Sequence, residues 1–148
     1  MRSGFRPAQI YKCDKLQLSL VSPRIPERIT AIAVKGDLTF TACGGEIFIW
    51  NRTKKVGSFD GVHRDPVRHL LVMGNFLVSV SESGPMKVWS IESRELEKEI
   101  QLADARSFTV TSLMHPYVYL DKVLLASYEG TMQLWNIKKQ KLVYSFKG

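Results

Sequence analysis

Short runs rich in Val, Ile, Leu, Phe and Thr recur along the chain, each bounded by glycine or polar turn residues. The runs 29–34 and 38–43 flank Lys35-Gly36-Asp37, and 67–73 and 76–81 flank Gly74-Asn75. Runs of this length, broken by such turn residues, read as antiparallel β-strands. Further strands are expected at 46–50, 55–59, 86–89, 96–102, 110–114, 122–127, 131–135 and 141–146. The stretch 92–98 also has helical composition, but its place in the series favours a strand. Between 114 and 122 the connection is longer, and Pro116 lies near its start.

The series repeats. Tryptophan occurs only at Trp50, Trp89 and Trp135, each five residues after a glycine (Gly45, Gly84, Gly130) and each followed by a polar residue. The spacings of 39 and 46 match a unit of four short strands used three times. A four-stranded unit at a period near 40 is one blade of a β-propeller. The expected fold is therefore all-β, a partial propeller of about three and a half four-stranded antiparallel blades. Residues 1–28 form a half blade and its connection, and 29–62, 63–104 and 105–148 form one blade each. Each tryptophan is expected on the third strand of its blade, packed against the next. Closed propellers have about four to eight blades, so the expectation is a piece of a larger propeller. The alternative is a self-sufficient small β-domain.

The second unit resembles the WD40 repeat. Gly61-Val62-His63 stands where that family has Gly-His, and Leu77-Val78-Ser79-Val80-Ser81 where it has a strand of small residues. Ser83-Gly84 stands where it has Asp-Gly, and Val88-Trp89-Ser90 where it has Trp-Asp. The resemblance implies a buried hydrogen-bonded set of His63, Ser79 and Trp89. The fourth member, a turn aspartate, is missing: Ser83 occupies its place, with Glu82 beside it. The stretch from His115-Pro116-Tyr117-Val118-Tyr119-Leu120 through Tyr128-Glu129-Gly130 to Leu134-Trp135-Asn136 and Val143-Tyr144-Ser145-Phe146 resembles something narrower. It is similar to the amino-terminal propeller of the large WD-repeat subunits of the UTP-B complex, part of the small-subunit processome. That resemblance covers about residues 9–147. It implies a non-catalytic scaffold in rRNA processing, resident in the nucleolus. The implied partners are other processome and UTP-B subunits, a small nucleolar ribonucleoprotein and pre-rRNA, with no cofactor, metal, membrane or small-molecule substrate. The rival implication is a WD40 interaction adaptor in another complex.

Composition agrees with a globular chain: 148 residues, 45% hydrophobic and 24% charged. No apolar run reaches the roughly 18 residues of a membrane helix, and two cysteines do not make a disulfide scaffold. The net charge of +7 sits at the ends, +4 over residues 1–28 and +3 over 108–148, with balance between. Such an excess permits contact with nucleic acid. The densest basic run, Lys138-Lys139-Gln140-Lys141, makes Lys138, Lys139 and Lys141 candidate phosphate contacts, against the plainer reading of a solvated hairpin turn. His63-Arg64-Asp65 is similar to a kinase catalytic loop but has Leu70 where the magnesium-binding Asn belongs. His63, His69 and His115 share no metal-binding spacing. Glu46, Glu82 and Glu129 fall at turns, where they are expected to meet water.

Overall fold

A computed structural model describes residues 11–14, 17–20, 28–59, 61–82, 84–102 and 108–147 of the chain. Outside these lie Ser83, parts of the expected half blade (1–10, 15–16, 21–27) and 103–107 at the junction expected between the last two blades. All fourteen described elements are strands: β1 Tyr11–Asp14, β2 Gln17–Leu20, β3 Ile29–Lys35, β4 Leu38–Cys43, β5 Glu46–Asn51, β6 Lys54–Phe59, β7 Val67–Met73, β8 Phe76–Ser81, β9 Met86–Ser90, β10 Leu96–Ile100, β11 Val110–Met114, β12 Lys122–Ser127, β13 Thr131–Asn136 and β14 Lys141–Lys147. The ambiguous stretch is strand β10, ending at Ile100 rather than at 102.

Strands β3–β6, β7–β10 and β11–β14 form three separate four-stranded sheets, each antiparallel and in sequence order, and β1 pairs with β2. The turns explain the register. Gly36 and Gly74 take positive φ (58° and 56°) in two-residue hairpins, the left-handed conformation such turns require. The third-to-fourth-strand turns put non-glycine residues there: Arg52, Arg94 and Gln140.

Each four-stranded sheet carries two bulges at matching places. In the first strand, pairing slips between Ile29 and Ala31, Val67 and His69, and Val110 and Ser112. A second slip lies between the third and fourth strands, at Ile49/Trp50, Leu96/Lys98 and Leu134/Trp135. A bulge adds local right-handed twist, so the blades share a coiled shape that lets them stack.

The core lies between sheets. Phe40, Ala42, Ile47, Ile49 and Phe59 of the first sheet meet Val67, Leu77 and Trp89 of the second. Val78, Val80, Met86, Val88 and Ile100, on the reverse face of the second sheet, meet Val123, Leu125 and Trp135 of the third. The indoles of Trp89 and Trp135 thus face the preceding sheet, not the next one. Trp89 packs on Phe59 (centroids 5.4 Å apart), which tilts against Phe40 at 6.1 Å. Trp50 sits on the opposite face of its own sheet with Phe48 and Cys43. The direction follows from register. Trp89 pairs with Leu77 and Trp135 with Val123, both on the backward-facing side of their strands.

Candidate functional site

His63, Ser79 and Trp89 come together where the first two sheets meet. His63 lies on the segment from β6 to β7, and its amide donates to Gly45 O at 3.1 Å. Gly45 permits that approach, because a Cβ there would lie 2.2 Å from the His63 carbonyl oxygen. Ser79 is on β8 and fully buried. Trp89 Nε1 donates to Ser79 Oγ at 2.9 Å, and Ser79 Oγ is 2.9 Å from His63 Nε2. An indole N–H only donates, so the serine oxygen accepts it and its own proton is free to go to the imidazole. Burial holds the His63 pKa down to about 4, helped by the Lys87 charge and opposed by Asp65. The ring is therefore neutral at physiological pH and can accept.

A serine hydroxyl beside an imidazole nitrogen is also the arrangement of an activated nucleophile. Here the hydroxyl is 0% exposed and already holds the indole proton, so it has no route to a substrate. The group serves to tie a connecting segment, a second strand and a third strand together. Glu82, next to the place of the missing aspartate, bonds Arg68 at 3.0 Å on the surface. Around the exposed edge of His63, Arg64, Asp65, Lys87, Pro85 and Glu99 line a solvent-open cavity of about 420 Å³.

The other two indoles solve the same problem differently. Trp50 Nε1 donates to Thr41 Oγ1 at 2.8 Å, and Thr41 stands in β4 where Ser79 stands in β8. In the third sheet that place belongs to Leu125, which offers no acceptor. Trp135 Nε1 bonds Gln133 Oε1 of its own strand at 2.9 Å instead. The sequence had not singled out Thr41 or Gln133. The signal was available for Thr41, a hydroxyl two positions beyond the residue paired with the tryptophan.

The remaining histidines are structural. His69 Nε2 lies 3.0 Å from Val110 O of the third sheet, and Thr30 Oγ1 donates to Val67 O of the second. Both carbonyls precede a bulge, where the ladder slips, so each blade's side chain satisfies an irregularity in the next. His115 Nδ1 lies 2.9 Å from Lys122 O. Glu82 and Glu129 do more than meet water. The Glu129 carboxylate accepts the Thr109 N–H at 3.0 Å, which holds its pKa below the usual carboxylate range. Lys138, Lys139 and Lys141 are exposed at the β13–β14 turn, fixed by Lys139 N donating to Asn136 Oδ1 (2.9 Å) and by Lys98 Nζ donating to Lys138 O (2.7 Å). Among the described residues no three His, Cys, Asp or Glu side chains gather to hold a metal ion, and no helix is long and apolar enough to cross a membrane.

Comparison with known proteins gives concordant results. The family model for the WDR36/Utp21 first β-propeller matches residues 6–148. WD repeat-containing protein 36 of Homo sapiens is 37% identical over 140 residues, 93% of this chain and 15% of that protein. The U3 small nucleolar RNA-associated protein 21 homolog of Schizosaccharomyces pombe is 30% identical over 142 residues, 94% of this chain and 16% of that protein. The chain thus spans about one sixth of the length of these relatives. Among solved structures, the WD40 β-propeller domain of Doa1 superposes with a TM-score of 0.73 at 18% identity, over 87% of this chain and 44% of that one. The computationally designed Ika4 protein does so at 0.72 and 22%, over 86% and 79%. At those identities the match speaks to fold: the three sheets are WD40 propeller blades.

Proposed function

The chain belongs to the WDR36/Utp21 first β-propeller family, and from that premise we propose that it serves as a non-catalytic scaffold in small-subunit ribosome biogenesis, within the nucleolar particle that processes rRNA. The observation that carries this is the family match over nearly the whole chain, in a family with a member named for its association with U3 small nucleolar RNA. The site chemistry supports it. The His63–Ser79–Trp89 set is consumed by its own hydrogen bonds, and what reaches solvent is a set of turns on a stacked, rigid frame. The partners are other processome protein subunits. Direct RNA contact runs through backbone phosphates at Lys138, Lys139 and Lys141, without base readout. Residues 1–28 act as a half blade and connection ahead of blades 29–62, 63–104 and 105–148, all parts of one propeller.

Purification of the tagged full-length protein from cells tests the reading. U3 small nucleolar RNA and unprocessed pre-rRNA should co-purify, and depletion should slow small-subunit rRNA maturation. Recovery in an unrelated complex free of both RNAs would overturn it in favour of a general WD40 adaptor.

A further inference from the structure

The first-to-second-strand connection of the third blade departs from its counterparts. Blades one and two make it with two residues, Gly36-Asp37 and Gly74-Asn75. Blade three uses seven, residues 115–121. The loop is internally braced. Tyr119 N donates to Pro116 O (3.0 Å), Lys122 N to Tyr119 O (3.2 Å) and Ile137 N to Asp121 O (2.9 Å), and His115 holds the Lys122 carbonyl. The Lys122 ammonium lies 4.8 Å from the centre of the Tyr119 ring. Yet this ordered loop turns apolar side chains outward: Tyr117 is 97% exposed, Leu120 84% and Val118 77%. Exposed apolar groups clustered on a fixed scaffold mark a surface that meets something.

Beside the loop, between the second and third blades, lies a cavity of about 530 Å³. Its apolar lining includes Met73, Phe76, Val88, Leu120 and Ile137. The volume falls in the range of roughly 300–1,000 Å³ that receives a bound group. The lining itself is balanced, Lys98 and Lys138 against Glu97 and Asp121, and the positive excess comes from Lys122 and Lys139, next in the chain to two of these. The charges gather at this end of the blades because the β13–β14 turn lies beside the 115–121 loop.

We propose that the 115–121 loop and the adjoining cavity form a docking site for a protein segment carrying a bulky apolar anchor flanked by Asp or Glu. The anchor enters the cavity against Phe76 and Leu120, Tyr117 and Val118 cover it, and the lysines pair with the acids. The aliphatic members, Val118 and Leu120, favour a peptide over a nucleic acid, whose backbone has no partner for them. The site shares Lys138 and Lys139 with the phosphate contacts proposed above but does not rest on the family reading, so its failure would leave the ribosomal reading standing.

The test is selection of phage-displayed random 12-residue peptides on the protein, followed by titration of the enriched peptides. The expected winners pair an aromatic or Leu anchor with acidic neighbours. Their affinity should fall at least tenfold for Y117S/L120S, and at least threefold for K138E/K139E at low salt. Both pairs are exposed, so unfolding curves should match the parent. Winners without an acidic excess, winners that bind Y117S/L120S as well as the parent, or no enrichment at all would overturn the proposal. So would binding of a 20-residue uridine oligomer that is lost in Y117S/L120S while no peptide binds.

Discussion

Replacing Ser79 by Ala tests the central hydrogen-bonded group most directly. The substitution removes one oxygen from a position with 0% exposure and leaves a methyl of similar size. Two partners lose by it. The Trp89 indole N–H, buried at 2% exposure, is left without its acceptor, and an unsatisfied buried donor costs about 1–3 kcal/mol. The bond to His63 Nε2 goes as well, another 0.5–1.5 kcal/mol or about that. The expected loss is about 2–4 kcal/mol in urea unfolding. Because the larger share arises from the orphaned indole, it should shrink when the indole is absent. In a Trp89→Phe background, Ser79→Ala should cost only about 1 kcal/mol, giving a coupling energy of about 1–3 kcal/mol in the double-mutant cycle. Additive losses, with coupling below about 0.5 kcal/mol, would refute the shared-oxygen account.

Stability should also depend on His63. Its folded pKa near 4 lies below the ordinary 6.5, so below pH 6.5 the unfolded chain takes a proton that the folded chain refuses. Stability is then full above 6.5 and falls as pH drops to 4, by about 1–2 kcal/mol once discounted for solvent reaching the ring. His63→Gln should flatten that part of the curve. Gly45→Ala should cost about 1–3 kcal/mol by forcing the His63 carbonyl away, and the Trp89 fluorescence should shift with it; an unperturbed variant would contradict the close approach. Trp135→Ala, at a position 5% exposed, should cost about 3–5 kcal/mol in thermal or urea unfolding, and a loss under about 1 kcal/mol would show that the indole does not seal the second and third blades.

The tryptophan spacing and the glycine turns made the blades legible, because two-residue hairpins leave strand ends little freedom. Strands β4, β7, β8, β11 and β12 begin and end where the turn residues predict. The facing of the indoles was not legible. In stacked sheets both faces are covered, so β8 reads Leu77–Ser81 as one buried run without alternation. Such a run tells that a strand is central but not which side meets which neighbour. The bulges at Thr30, Arg68 and Thr111 were hidden for a related reason: nothing in those residue types announces an unpaired position. The acceptors diverge, Thr41, Ser79 and Gln133, because any correctly placed oxygen satisfies an indole.

That Trp89 and Trp135 face backward gives the stack a direction in time as well as in space. A chain is synthesised from its amino terminus, and elements emerge in order. The second blade therefore arrives carrying the indole that closes the first, and the third arrives carrying the one that closes the second. On the other face of the third blade Leu124, Ala126, Met132 and Leu134 are half-buried. Assembly of this kind proceeds like laying courses of brick, each course finishing the one beneath.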